Sequence, residues 1–512
     1  MKFNAKILGI ESGGRSVITL SKDDAYELGI RSGERVKLFY EHKEMIVIVN
    51  IVTKSVPKGI AGIYDEVRTI GNIKENSVLE IETIDFPQSI YFIQNKLKKS
   101  KLNFKEIFEI IKDVANGNLS ESEIAAFLTA LDHQGLDIDE ATSLTLAMVE
   151  TGKKLQVANK PICDKHSVGG VPGDKTTLLV VPIIAAAGLT IPKTSSRAIT
   201  SASGTADRAE ILMPVNLTIE QMKMVVEKTN GCVVWGGSLE LAPADDRFIQ
   251  VEYPLSIDPL LLPSIMAKKK AVGANYLVLD IPSGRGTKVK TTGDADVLAK
   301  EFMELGKRLE IKTQSIVSFG EQPIGNTIGP ALEVLEALEV LQGSKVPDLI
   351  DKAINICGLI FGMAGIGGKD LALDILKSRR AEKKMREIIY RQGGDSEIQI
   401  EDIKIGDQTL EIKAEKSGNV LWLDNNIIVT IARLAGAPKD KGAGIIIHKK
   451  IGQKVNKDDK LLTIFAEKTN KIHSVEKMLT EIKPFHIGQR QEMIIHTFLD
   501  IPEPKKTFIL ER

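Results

Sequence analysis

The sequence predicts an α/β plus α protein built from several domains. A helical subdomain and an α/β phosphate-binding domain are flanked by a β-rich N-terminal domain and an α+β C-terminal domain. Three observations carry this. The chain has 512 residues, more than one ordinary core supports. Its hydrophobic period turns helical from Asn103. From about residue 160, strand and helix signals alternate, which argues for an α/β core. The expected boundaries are 1–88 for the β-rich domain and 89–160 for the helical subdomain, joined by part of 210–232. The α/β catalytic domain is expected over 161–345, a helical connection over 346–405 and the C-terminal domain over 406–512.

In the first segment, Val17-Ile18-Thr19-Leu20, Arg35-Val36-Lys37-Leu38 and Met45-Ile46-Val47-Ile48-Val49 are rich in β-branched residues and read as strands. Residues 29–34 are turn chemistry. Phe104, Ile107, Phe108 and Ile111 then recur at helical spacing, and Gly117 ends that helix. Ser120 and Glu123 form a capping box for the next helix, which buries Ile124, Phe127, Leu128 and Leu131 and stops at Gly135. A third helix is expected between Asp137 and Gly152. Leu277 to Ile281 reads as a buried strand after a helix containing Ile265, Met266 and Ala267. Pro330 to Leu341 and Asp370 to Tyr390 read as further helices. Strands are expected again at Thr409 to Lys413, Asn419 to Leu423, Gly444 to His448 and Leu461 to Phe465.

Composition narrows the partners. Lys+Arg and Asp+Glu are equal at 68 each, so no electrostatic case exists for nucleic acid or an anionic membrane. Aromatic residues make up 5%, too few for base-stacking platforms. The apolar run Leu178 to Ala187 is shorter than the roughly 20 residues a bilayer needs. Met1 to Ile10 shows no signal-peptide core. The cysteines, Cys163, Cys232 and Cys357, are too scattered for a disulfide framework or a zinc site. A cytoplasmic protein without metal or cofactor is expected.

Chemistry concentrates in three clusters. The first is Asp164-Lys165-His166-Ser167-Val168-Gly169-Gly170-Val171-Pro172-Gly173-Asp174-Lys175-Thr176-Thr177. Glycines let the backbone approach an anion and aim N–H groups at it, a helix is expected to begin near Thr176, and Lys165 adds charge. Phosphate is the anion this suits. The second cluster runs from Ser195 to Asp207 and is dense in hydroxyls, with Arg197 able to grip phosphate through two parallel N–H bonds. The third is Asp258, Ser264, Lys268 and Lys288. Ser264 and Lys268 share a helix face. Taken alone, the Lys268-Lys269-Lys270 run reads equally as a solvated helix end.

Together these motifs resemble the thymidine and pyrimidine nucleoside phosphorylases and their longer relatives, the AMP phosphorylases. The resemblance runs from about Asn103 to the C-terminus. Lys165-His166-Ser167-x-Gly-Gly-Val, Ser195 to Asp207 and Ser264-Ile265-Met266-Ala267-Lys268-Lys269 carry it. It implies that Lys165, Ser167, Gly169, Gly170, Thr177, Ser195 and Thr205 bind phosphate. It implies that Ser196, Arg197, Ala198, Ile199, Thr200, Ser201, Ser264, Lys268 and Lys288 line the nucleoside site. It offers Asp258 or His166 as the catalytic proton donor. The chain departs from the short enzymes, which carry an Arg beside the base; Gln250-Val251-Glu252-Tyr253-Pro254 has none.

The expected reaction is phosphorolysis of an N-glycosidic bond by a homodimer or larger homo-oligomer, with a nucleoside or nucleotide and phosphate as small-molecule partners. Thymidine phosphorylase-like cleavage is the first reading, and AMP phosphorylase the alternative. A phosphoribosyltransferase is more remote, because no acidic pair for magnesium and pyrophosphate is evident. In a different class, the C-terminal glycine-punctuated strands resemble biotinyl and lipoyl carriers, but the nearest candidate lysine, Lys477, lies outside the expected hairpin turn.

Overall fold

The computed structural model describes residues 1–489, so residues 490–512 of the expected C-terminal domain lie outside the described part. Contacts divide the chain into two compact units. The first comprises Met1–Gln156, Gly237–Ala274 and Glu301–Ile311, and the second comprises Val157–Gly236, Asn275–Lys300 and Lys312 onward.

The first unit opens with a closed six-stranded barrel, with strands in the order Lys2–Ile7, Ile60–Ile63, Val17–Ser21, Lys43–Val52, Arg35–Tyr40 and Val78–Thr83. Closure leaves no strand edge unpaired. Its inward residues, among them Phe3, Ile18, Leu20, Val36, Leu38 and Val47, form one hydrophobic cluster. The helices Phe104–Ala115, Glu121–Gln134 and Ile138–Glu150 follow. The capping box of Ser120 and Glu123 is present, and Ile124, Phe127, Leu128 and Leu131 are buried as their spacing requires. Glu123 also receives Arg35 of the barrel, whose side chain is 7% exposed, so one carboxylate caps a helix and ties the barrel to the bundle. Helices Pro243–Leu255 and Leu261–Ala271 complete the bundle, with Phe248 and Ala267 in its core.

The second unit is built on parallel strands. Lys312–Phe319, Tyr276–Ser283 and Cys163–Ser167 pair in that order, all parallel. A parallel bridge from Ile162 to Thr190 leads to Ile191–Ser195, which pairs with Gly231–Trp235. Helix Thr176–Ala186 is apolar on every side and buried throughout, as a helix without a polar face must be. It packs against Pro347–Ala364 and Arg380–Arg391. Beyond residue 400, antiparallel strands Gln408–Lys413, Lys460–Ala466 and Gly444–Ile447 form one sheet, which the earlier strand Thr327–Ile328 joins at its edge beside Gly444–Ile447. Lys454–Val455, Gly418–Leu423 and Phe485–Gly488 form another. Helices Asn425–Leu434 and Thr469–Leu479 cover them. Lys477 lies within the latter helix and not at a hairpin tip.

Two expectations need correction. Segment 210–232 belongs to the second unit, because helix Ile219–Thr229 leads directly into the strand paired with Ile191–Ser195. The pieces that join the helical part are 237–274 and 301–311. The expected helix Asp370 to Tyr390 is two helices, Lys369–Lys377 and Arg380–Arg391, broken where Arg379 takes a left-handed φ of 59°.

One buried ion pair holds the second unit's core. Lys175 is fully buried, donates to Thr327 O and Oγ1 at 2.9 Å each, and pairs with Glu336. Removing one partner strands a charge, at about 3–5 kcal/mol. Lys175→Met is therefore expected to lower the urea unfolding midpoint by that equivalent at unchanged slope. An unchanged midpoint contradicts the assignment.

Candidate functional site

Strand geometry sorts the first cluster. Successive side chains on a strand point to opposite faces. Lys165 and Ser167 therefore share one face of Cys163–Ser167, and His166 takes the other. Register sets Ser167 opposite Asp280 and Lys165 opposite Val278, so Asp280 lies on the Lys165 face. The Ser167 hydroxyl donates to Asp280 Oδ2 at 2.7 Å and the Ser318 hydroxyl to Oδ1 at 2.6 Å. Lys352, from the helix Pro347–Ala364, reaches Asp280 Oδ2 at 2.6 Å and Asp174 Oδ2 at 3.6 Å. Arg208 donates to Asp174 O at 2.5 Å and Ser203 O at 2.8 Å, and pairs with the buried Glu333 at 2.6 Å.

Lys165 is 3% exposed. Burial pulls its ammonium below the ordinary lysine value; Asp174 and Asp280 oppose that, while Lys352 and Arg208 add to it. Burial pushes the Asp174 carboxyl up, yet Lys352 and Lys165 hold it well below the usual range. Burial pulls Lys352 down, but Asp174 and Asp280 outweigh it and raise the ammonium. Asp280, Lys352 and Arg208 were not singled out from sequence, and Asp174 lay within the first cluster without an assigned role. The signal was there for two of them: Asp280 is the one charge in Leu277 to Ile281, and Lys352 interrupts an apolar helix.

Each of these strands delivers its ligand-type residues at its C-terminal end, where open α/β sheets bind ligands. After Ser167 the chain enters a loop in which Gly169 and Gly170 take φ of 94° and 92°. A side chain at Gly170 would come within 2.7 Å of the Lys288 backbone N. The structure thus brings the exposed Lys288 against the glycine loop. Helix Thr176–Ala186 begins at the expected place, with Thr177 buried. After Ser195, the hydroxyl loop closes on Asp207, which accepts from Ala198 N at 2.7 Å and Gly204 N at 2.9 Å. Thr205 opens the short helix Thr205–Ala209. Ser196, Ile199 and Thr200 are exposed, and Ser201 is partly so.

Two hydroxyls and one cation are already engaged. Ser167 donates to Asp280, and Ser195 donates to Val234 O at 3.1 Å, so both protons are committed within the protein. From sequence, Arg197 was read as able to grip phosphate and was placed by the resemblance in the nucleoside site. Its fork instead meets Glu210 at 2.8 and 2.6 Å, and its guanidinium lies 5.2 Å from the Trp235 ring centre. That pairing holds the Glu210 carboxyl down at about 2. Arg197 thus ties the hydroxyl loop to Glu210 and Trp235.

Asp258, Ser264 and Lys268 belong to the first unit. Ser264 and Lys268 share a face of helix Leu261–Ala271. Lys268 is not a solvated helix end: it pairs with the fully buried Asp245 at 2.6 Å. Burial pulls its ammonium down, and Asp245 more than restores it. Asp258 is exposed, between this helix and Pro243–Leu255. Among the described residues, no group of three or more His, Cys, Asp or Glu side chains is arranged to hold a metal, and no helix is long and apolar enough to cross a membrane.

Known proteins match this arrangement domain by domain. The glycosyl transferase family helical bundle domain matches residues 90–152, and the glycosyl transferase family a/b domain matches 159–365. The pyrimidine nucleoside phosphorylase C-terminal domain matches 420–484. The chain is 46% identical over 515 residues to the AMP phosphorylase of Thermofilum pendens, covering 100% of both chains. It is 46% identical over 494 residues to the AMP phosphorylase of Pyrococcus furiosus, covering 95% of this chain and 98% of that one. Among solved structures, the anthranilate phosphoribosyltransferase of Thermus thermophilus superposes with a TM-score of 0.51 at 19% identity, over 59% of this chain and 99% of that one. That likeness bears on fold alone.

Lys165 sets a pH signature. Its proton leaves below the ordinary lysine value, so phosphate affinity should fall as pH rises through that lowered value. Stability should move the other way, rising with pH up to the unfolded value, because there the unfolded chain binds the extra proton. Lys165→Arg, which stays charged, is expected to extend phosphate binding to higher pH, and Lys165→Ala to weaken it by about 10- to 100-fold. Calorimetric titration with inorganic phosphate across pH reads both. Superimposable profiles for the wild type and Lys165→Arg would remove Lys165 from the site.

Proposed function

The chain belongs to the AMP phosphorylase family of nucleoside phosphorylases, and on that premise we propose that it cleaves the N-glycosidic bond of AMP or a related nucleoside 5′-monophosphate with inorganic phosphate. The products are the free base and ribose 1,5-bisphosphate. The thymidine reading placed first from sequence gives way to its alternative. What supports the change is full-length similarity to relatives named AMP phosphorylase.

The single observation that carries the phosphorolytic chemistry is the pairing of Lys165 and Ser167 on one strand face, beside the glycine loop. Phosphate held by Lys165, by the N–H groups of Gly169 and Gly170 and by hydroxyls of Ser167, Ser195 and Thr205 presents an oxygen to the anomeric carbon. The bond to the base breaks as the new carbon–oxygen bond forms, through an oxocarbenium-like state. Donors fixed before reaction supply positioning and electrostatic stabilisation without reorganisation. The bonding pair goes to the base nitrogen, which then takes a proton. Asp258 and His166 are the two donors that the resemblance offers, and Ser264 and Lys268 keep the base-side role it implies.

Initial rates with phosphate and AMP, CMP, UMP, thymidine or uridine, run side by side, test this. The expected order puts AMP or another 5′-monophosphate above every nucleoside. Faster release of thymine from thymidine than of base from any nucleotide would overturn the substrate assignment. Activity only with phosphoribosyl pyrophosphate plus a base would overturn the reaction class.

A further inference from the structure

Every residue to which the sequence assigned a ligand role precedes residue 289, yet two loops that carry those residues are held from well beyond it. The holder is one helix, Asn425–Leu434. Near its end, Arg433 Nη1 donates to Ile199 O at 2.7 Å and lies 3.5 Å from Ser201 O. Ala202, the next residue, is 2% exposed and packs into the hydrophobic cluster built by Ile428, Ile431 and Ala432 of the same helix. At the other end, Asn425 is 2% exposed and its Nδ2 donates to Gly320 O at 2.8 Å. Gly286 lies against it with φ of 82°, where a side chain would come within 3.1 Å of Asn425 Cβ. Next to Gly286, the Arg285 guanidinium lies 5.0 Å from the ring centre of Trp422, and Lys288 is two residues further on.

We infer that helix Asn425–Leu434 is a strut that sets the separation of the hydroxyl loop and the Lys288 loop, with Arg433 and Asn425 as positioning residues. Asn425 and Arg433 are eight residues apart, about 12 Å along a rigid helix. A carbonyl turned toward a phosphate repels it. Arg433 engages the carbonyls of residues 199 and 201 with a charged donor, a stronger bond than a neutral one. This turns them toward the guanidinium and leaves the hydroxyls of Ser196, Thr200 and Thr205 to the anion. Lys441, beyond the helix, adds a second tether by reaching Glu210 at 2.9 Å, the carboxylate that Arg197 grips. The inference rests on the phosphorolytic reading of the same loops.

The test uses the full chain, inorganic phosphate and AMP, with Arg433→Met, Arg433→Lys and Asn425→Ser. Amide hydrogen exchange reads the loops without ligand, and calorimetry and initial rates read binding and turnover. Arg433→Met is expected to speed exchange in 196–204 and to raise the phosphate Kd and KM about tenfold, the loss of one charge-assisted bond, with kcat within about twofold. Arg433→Lys should recover part of that. Asn425→Ser should speed exchange in 284–288 and raise KM for the nucleotide. Wild-type exchange and KM in both the Arg433 and Asn425 variants, or a fall in kcat with KM unchanged, would overturn the strut while leaving the phosphate reading intact. A wild type that binds no phosphate would overturn the phosphate reading and the strut with it. Should Arg433→Met fail to fold, Arg433→Lys and Asn425→Ser carry the same test.

Discussion

The second unit is organised around keeping charge where water is excluded. Lys165 and Lys352 sit at 3% and 8% exposure, and a buried ammonium without partners is disfavoured by several kcal/mol. Asp280 and Asp174 answer both. Asp280 is held by the parallel register of two strands, and Asp174 by the turn before helix Thr176–Ala186. Neither can move without moving sheet or helix. The same carboxylate that steadies Lys352 receives Ser167, so the orientation of the Ser167 hydroxyl is tied to the charge balance around Asp280.

The surrounding fold follows from that constraint. Loops leave the C-terminal ends of the parallel strands, and each is closed by a carboxylate, a guanidinium or an amide from another element. Asp207 closes the hydroxyl loop, Glu210 takes Arg197, Arg208 ties Asp174 to Ser203, and Asn425 receives the loop at Gly286. The antiparallel C-terminal part is thereby more than an appendage, because its helix Asn425–Leu434 touches two of those loops. In the first unit, Glu123 does comparable work by capping one helix and taking Arg35 from the barrel.

Much of this was readable from sequence where the cause is local. Capping at Ser120, the helix start at Thr176, the strand at Leu277 to Ile281 and the anion-type loops all declare themselves within a few residues. What escaped is what distance in sequence hides. Asp280 is 113 residues from Ser167, and Arg433 is 234 from Ile199. Arg197 looked like a phosphate fork because Glu210 and Trp235 carry no local mark as its partners. The break at Arg379 escaped because helical periodicity continues across it. Segment 210–232 was misassigned because its helix reads the same in either unit; only the strand pairing of Gly231–Trp235 decides.

Ligand-linked stabilisation tests the central claim, that Lys165 on its buried carboxylate support is the seat of phosphate. Anything that binds only the folded state raises stability with ligand concentration, by about 1.4 kcal/mol for each tenfold excess over Kd. The measurement is the thermal unfolding midpoint of the wild type and Lys165→Met across inorganic phosphate concentrations, with sulfate-free chloride at matched ionic strength as control. The account predicts a midpoint that climbs steadily with the logarithm of phosphate in the wild type and stays flat in Lys165→Met. Parallel climbs in the two proteins, or no climb in the wild type, would contradict it.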